Sequence, residues 1–256
     1  MEKDMLEDIS AVDLSTKISV DNPIDYKGLM ILKQSTSARI CIGRAGSRYK
    51  TRDYLRLRAD HAVAMDAVWS HVDEKVVEEL GFYKVQTLVK DKEEYITRPD
   101  LGRGFSEEIL KAIKEKCIND VDVQIIAGDG LSSPAITANI KEIYPMIVEG
   151  AEAKGYKIGT PIFVKYARVA TMDKISEALN AKVTLILIGE RPGLATGESM
   201  SCYMAYEAST KKPESQRTVI SNIHKNGMPP VEAGAQIVQL IETLLVEKKS
   251  GTDLKL

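Results

Sequence analysis

Three cysteines in 256 residues, Cys41, Cys117 and Cys202, are odd in number and far apart, and none belongs to a CxxC pair. A disulfide framework or a cysteine-rich zinc site is thereby excluded, and a reducing interior is the default. An excess of one charge is missing too. The 35 basic and 37 acidic side chains leave a net of −2, so no global field favours nucleic acid or an anionic membrane. No run approaches the ~20 apolar residues that a bilayer span needs. The first residues, MEKDMLEDIS, are acidic, whereas a secretory signal starts basic and turns apolar. With 44% hydrophobic and 28% charged residues, the expected product is a soluble, intracellular, folded protein.

The usual catalytic signatures are also missing. Gly150 and Gly155 have the spacing of a phosphate loop, but Tyr156 and Lys157 follow, so the phosphate-cradling lysine is out of register. No strand is followed by GxGxxG. The run from Gly197 through Ser199 to Ser201 starts like a nucleophile elbow but lacks the second glycine, and a polar linker precedes it. His61, His71 and His224 form no HExxH pair and have too few companions for zinc. His61 and His71 are expected on one helix, roughly 80° off a shared face, in surface or packing roles. No complete acid–base, nucleophile or metal set emerges, so no catalytic residue and no protein metal ligand is assigned.

What is present begins with an acidic segment. Residues 1–14 carry five acids against Lys3, and Met5, Ile9 and Val12 fall at helical spacing, which predicts a short amphipathic helix. Asn22-Pro23 and Gly28 then suggest a flexible connection up to residue 36. ARICIGR reads as a short buried strand. Residues 39–58 hold seven basic side chains (Arg39, Arg44, Arg48, Lys50, Arg52, Arg56, Arg58) against Asp53. One helix is expected over about 53–80, stopped by Gly81, followed by an irregular polar stretch over 82–104. Ser106 is an N-cap candidate for a further helix.

From residue 121 the pattern is strand, helix, strand. VDVQIIAG, KIGTPIFVKY and KVTLILIG are strands, the last apolar enough to be covered on both faces. Ser133-Pro134 opens a helix to about 150–155, MDKISEALN a shorter one, and a final helix runs over about 230–249. CYMAY and RTVISNI add two strands. The fold class is therefore α/β: a doubly wound, mostly parallel sheet flanked by helices, behind a helical N-terminal region. Three divisions are expected: 1–36, a mainly helical 37–120, and a Rossmann-like 121–256. There are too few units for a closed (β/α)₈ barrel. Three turns stand out: 43–49, 127–132 and 189–193. In the third, Glu190 and Arg191 follow the most buried strand, where such sheets bind ligands.

The segments GRAGSRYKTRDYLRLRADHAVAMDAV, TRPDLGRG, DGLSSPAI, GTPIFVKYARV, GERPGL, ESMSCY and RTVISNIHKNGMPPVEA resemble the small subunit of ethanolamine ammonia-lyase, in consistent order from about residue 37 onward. The resemblance implies an adenosylcobalamin-dependent radical lyase that converts ethanolamine to acetaldehyde and ammonia. The substrate site lies on a large (β/α)₈ subunit, and the small subunit encloses the cobalamin at the interface. It also implies a hetero-oligomer of several large and small pairs. The family's cofactor contacts fall on Val169, Glu190 and Val219, with the adjacent Arg168 and Arg191 as further candidates. The resemblance sets valine at 219 against cysteine in other members of that family. The histidine motif D-x-H-x-x-G is missing, since Asp60 and His61 are adjacent and Ala64 follows. Cobalamin is therefore expected base-on, with no ligand to cobalt from this chain. The basic run is expected to dock the large subunit rather than nucleic acid. Enclosure in a bacterial microcompartment lumen within the cytoplasm, among shell and cargo proteins, is also implied, with residues 1–20 as an encapsulation tag. The alternative is a non-catalytic structural component of that compartment.

Overall fold

The computed structural model describes residue 9, residues 12–36 and residues 38–254. The described chain forms two compact units, 1–66 with 193–196, and 67–192 with 197–256. Most of the amphipathic segment expected over 1–14 lies outside the described residues. Within it, Asp13 caps a 3₁₀ turn at Leu14–Thr16 by accepting from Ser15 N.

In the first unit, helix α1 (Tyr26–Gln34) starts where Asp25 accepts from Gly28 N, so the stretch expected to be a flexible connection is in part helical. The expected strand ARICIGR does not form. Cys41 sits at φ 60°, which interrupts an extended ladder, and the chain instead turns into a two-residue hairpin, β1 (Arg44–Ala45) and β2 (Arg48–Tyr49). Helix α2 (Thr51–Trp69) follows. Its inward carboxylates organise the unit. Asp53 accepts from Ser19 Oγ at 2.7 Å and Gly43 N at 3.2 Å. Asp60 pairs with Arg39 and Arg56, and Arg56 also donates to the carbonyls of Ile9 and Val12.

The single helix expected over 53–80 is two helices. Beyond Trp69, Ser70 Oγ turns back to Ala67 O, and Asp73 caps a new helix, α3 (Glu74–Glu79), by accepting from Lys75 N. Short polar side chains that bond the backbone locally compete with helix continuation in this way. His71 consequently lies in the break rather than on the helix of His61. The stretch 82–104 is not irregular throughout either. It contains β3 (Tyr83–Gln86) and α4 (Lys92–Thr97), the latter capped by Asp91 accepting from Glu94 N. Both are too short for periodicity to declare them.

The remaining elements follow the sequence pattern closely: α5 (Glu107–Lys116), β4 (Val123–Gly128), α6 (Ser133–Ala153), β5 (Ile162–Lys165), α7 (Thr171–Leu179), β6 (Val183–Gly189), β7 (Met200–Tyr206), β8 (Thr218–Ile223) and α8 (Pro230–Glu247). The sheet order is β3-β5-β4-β6-β7-β8. Strands β3, β5, β4 and β6 are mutually parallel, while β7 runs antiparallel to both β6 and β8. The fold is thus α/β with a mostly parallel, helix-flanked sheet. One face of the sheet packs against α3, α6 and α8 through Ile125, Leu185, Leu187, Ile220 and Ile237. The other packs against α5 and α7 through Ile126, Ile186, Ile188, Ile113 and Ile175. β4 and β6 are buried at every position, which is why they read as apolar runs interrupted only by Gln124 and Thr184.

Candidate functional site

The C-terminal ends of β4, β5 and β6 carry three turns, and two of them press against each other. Gly130 sits at φ 59°, and a Cβ there would stand 2.2 Å from Gly189 O. Only glycine tolerates both the left-handed conformation and that approach. The turn after β4 is thereby seated on the turn that carries Glu190.

Glu190 is half-buried, and its carboxylate is heavily engaged. Oε1 accepts from Ser201 Oγ and from Asn222 N at 3.1 Å, and Oε2 accepts from Ser199 Oγ at 3.0 Å. The register between β7 and β8 shifts at Met200–Cys202, and Asn222 sits at φ 61°. A bulge of this kind strands a backbone N–H, and Glu190 supplies the missing acceptor from across β7. A carboxylate offers about four acceptor sites. Three are used here, so Oε2 keeps capacity for one more donor. Arg191, next in sequence, is exposed.

Val219 lies on β8 opposite Tyr203, which in turn lies opposite Ile186 of β6. Directly paired residues in a ladder share a face, so these three side chains point to the side covered by α5 and α7. That cover stops short of β8: Val219 is 44% exposed and Ser221 is exposed, while Ile220 between them is buried on the opposite face. Val169, in the turn between β5 and α7, packs with Tyr203 against the same apolar cluster. A buried ion pair joins the two elements involved. Asp173, one helical turn after Val169, meets Arg217, two residues before Val219, at 2.6 Å with both side chains under 10% exposed. Burial pushes the Asp173 carboxyl up, opposed by the guanidinium.

The structure therefore places Val169 and Val219 on the same side of the sheet, in elements joined by the Asp173–Arg217 pair, with Glu190 just beyond the C-terminal end of β6. Arg168 stands apart from that face. Its guanidinium lies over the Tyr95 ring, Nη2 donates to Tyr95 O at 2.9 Å, and Nε is buried without an acceptor. Three residues that the sequence did not single out, Lys92, Tyr95 and Tyr166, shape this turn together with Asp129 of the 127–132 turn. The only sequence signal among the four is Asp129 at a strand-to-helix turn.

The histidines do not converge. His224 has both ring nitrogens engaged, with Asn222 Oδ1 at 2.9 Å and Asn226 N at 3.3 Å. His71 stands edge-on to Tyr166, and burial, helped by Lys92 and Lys165, lowers its pKa. Among the described residues no group of three His, Cys, Asp or Glu side chains is placed to hold a metal ion. A cleft of about 400 Å³ in the first unit is bordered by Arg39, Asp53 and Arg56, side chains already paired within that unit.

Residues 27–255 match the family described as ethanolamine ammonia-lyase light chain (EutC). A protein named ethanolamine ammonia-lyase small subunit from Clostridium acetobutylicum is 72% identical over 233 residues, covering 91% of this chain and 96% of the relative. Proteins of the same name from Clostridium perfringens and Listeria monocytogenes are each 51% identical, covering 98% of this chain and 85% of theirs.

Proposed function

The chain belongs to the ethanolamine ammonia-lyase small-subunit family, and from that membership we propose that it encloses adenosylcobalamin at its interface with the catalytic large subunit. A member of this family is a component of a lyase complex whose name implies a large partner subunit.

The observation that carries the proposal is the uncovered end of the sheet at Val219 and Tyr203, with Val169 of the β5–α7 turn packed on the same side and a carboxylate with acceptor capacity to spare at the end of β6. Cobalamin presents a broad apolar macrocycle fringed with amide side chains, and the residues present fit such a group. Val219 and Val169 offer apolar area, so valine serves at 219 without sulfur. Glu190 Oε2 accepts an amide N–H, while the Arg168 guanidinium is spent on Tyr95 and supports the turn that carries Val169. Arg191 is exposed and suits an amide or phosphate oxygen. When bound, cobalamin supplies the adenosyl radical that starts the conversion of ethanolamine to acetaldehyde and ammonia. This chain's part is to cover apolar area, hold the amide fringe and keep water from that side. In this proposal the substrate site lies on the large subunit, and this chain would supply no ligand to cobalt, since the D-x-H-x-x-G motif is missing and His224 has both ring nitrogens engaged. The second unit, with the sheet, covers the cofactor, and the basic helical segment within 37–120 docks the large subunit, several such pairs forming the oligomer.

The test is acetaldehyde release from ethanolamine with adenosylcobalamin and the large subunit, with and without this chain. The expected outcome is activity only with the chain, falling on Glu190→Ala, together with nitrogen splitting from benzimidazole in the cob(II)alamin spin-resonance spectrum. Full activity from the large subunit alone sinks the proposal. The acidic segment at the N-terminus is proposed as a tag for enclosure in a microcompartment lumen with shell and cargo proteins. Deleting residues 1–20 is expected to leave activity unchanged and to abolish co-sedimentation with shells. Co-sedimentation that survives the deletion removes that role.

A further inference from the structure

The turn between β5 and α7 that carries Arg168 and Val169 is held in an unfavourable backbone conformation by groups from four other segments. Tyr166 sits at φ 59°, a region that a residue with a bulky side chain adopts at a cost and keeps only when its surroundings enforce it. The enforcement is visible atom by atom. Asp129, buried just beyond β4, accepts from Tyr166 N through Oδ2 and from Ala167 N through Oδ1, both at 2.8 Å. Thr87 Oγ1 donates to Tyr166 O at 3.1 Å, Tyr95 OH donates to Ala167 O at 2.7 Å, and Arg168 N donates to Gly102 O at 2.9 Å.

Helix α4 brings Lys92 and Tyr95 to this turn one helical step apart. The Lys92 ammonium lies 5.3 Å from the Tyr95 ring centre and 5.8 Å from that of Tyr166, and it is buried with no hydrogen-bond partner. Ring faces attract a cation at such distances, yet a buried ammonium with no acceptor is expensive. Burial pulls the Lys92 ammonium down and pushes the Asp129 carboxyl up, and each charge opposes the shift of the other. Costly features of this kind persist at sites where they serve a function.

We propose that Asp129 and Lys92 are positioning residues for the cofactor: Asp129 fixes the left-handed turn at Tyr166, Lys92 holds both tyrosine rings against it, and together they set where Val169 meets cobalamin. The inference rests on the reading of Val169 as a cofactor contact given above.

A double-mutant cycle tests it on the assembled complex with the large subunit, read by absorbance titration with adenosylcobalamin. In Asp129→Asn one acceptor oxygen becomes an NH₂ that faces a backbone N–H. That variant is expected to bind cobalamin roughly tenfold more weakly, and adding Val169→Ala to it should weaken binding no further, because coupled residues are non-additive. A merely structural role for Asp129 gives additive losses, and additivity overturns the proposal, as does unchanged affinity in Asp129→Asn. Should the asparagine variant fail to assemble, Lys92→Met, which keeps the length and loses the charge, goes through the same cycle and decides the matter by the same criteria. Val169→Ala alone separates the two readings. If it leaves affinity unchanged in the parent complex, the cofactor-contact reading fails and this inference falls with it. If it weakens binding while both positioning variants bind normally, only the inference fails.

Discussion

Asp122 stands at the entry to β4, where Lys182 Nζ donates to its Oδ1 at 2.7 Å and Lys157 N to its Oδ2 at 2.9 Å. The bond from Lys182 holds the carboxyl below its usual range, against a burial effect that raises it. A carboxyl whose pKa is lower folded than unfolded contributes its full stability above the unfolded value near 4. It loses that contribution as the pH falls through the folded value. Asp122→Asn is accordingly expected to cost about 1 kcal/mol at pH 7. The gap from the parent should close as the medium is acidified below pH 4. Urea unfolding at pH 7, 5 and 3 measures it, and a gap that stays constant with pH contradicts the assignment. Glu190, at the opposite end of the sheet, shows the other use of a carboxylate. It accepts from two side-chain hydroxyls and one stranded backbone N–H, so its removal alters the bulge in β8 as well as any ligand contact. The Glu190→Ala activity test therefore reads both effects, and the titration of cobalamin is what separates binding from folding.

Between elements, the ion pair of Asp173 and Arg217 ties the first turn of α7 to the start of β8, and so ties Val169 to Val219. Removing one partner of a buried pair leaves the other charge uncompensated, which typically costs 3 kcal/mol or more. Arg217→Met is expected to lower stability by about 3 kcal/mol, seen as a marked fall in Tm, whereas the double change with Asp173→Leu should recover most of the loss. A double variant no better than the single one shows that the charge is not what matters. This coupling was invisible in the sequence, since 44 positions separate the pair and neither residue interrupts a pattern. The strands were legible for the opposite reason. VQIIAG and VTLILIG are buried on both faces, and a single polar residue in each, Gln124 and Thr184, does not break the apolar run. Of the candidate site, the place of Glu190 at a strand end was legible in the pattern, whereas Val169 and Val219 were named through the resemblance alone. The site was illegible at Lys92, Tyr95 and Tyr166, because α4 is six residues long and its inward side chains are polar. Asp73 and Asp91, both N-caps, were the signals that could have revealed the helices hidden in 53–104.

At the scale of the whole molecule, the proposed docking of the large subunit can be refined from the basic run to particular side chains. Arg39 and Arg56 are committed to Asp60, and Arg56 also holds two carbonyls, so reversing its charge would disturb the first unit itself. Arg48 and Arg58 are exposed, Arg58 lying over the Tyr54 ring, and α2 also exposes Tyr54, Leu55, Val63, Met65 and Trp69. A helix that leaves five large apolar side chains in water, with arginines alongside, has the composition of an interface core and its rim. The expected outcome is that Leu55→Glu with Met65→Glu weakens assembly with the large subunit by more than tenfold, as loss of central apolar contacts does. Arg48→Glu with Arg58→Glu should act mainly on the rate of association and on its salt dependence. The Tm of the isolated chain should move little in either case, since all four side chains are already solvent-exposed. Sedimentation of mixed subunits at two ionic strengths separates these outcomes. Undiminished assembly of the Leu55→Glu, Met65→Glu variant would mean that α2 faces solvent in the complex, and the docking surface would then have to be sought outside α2.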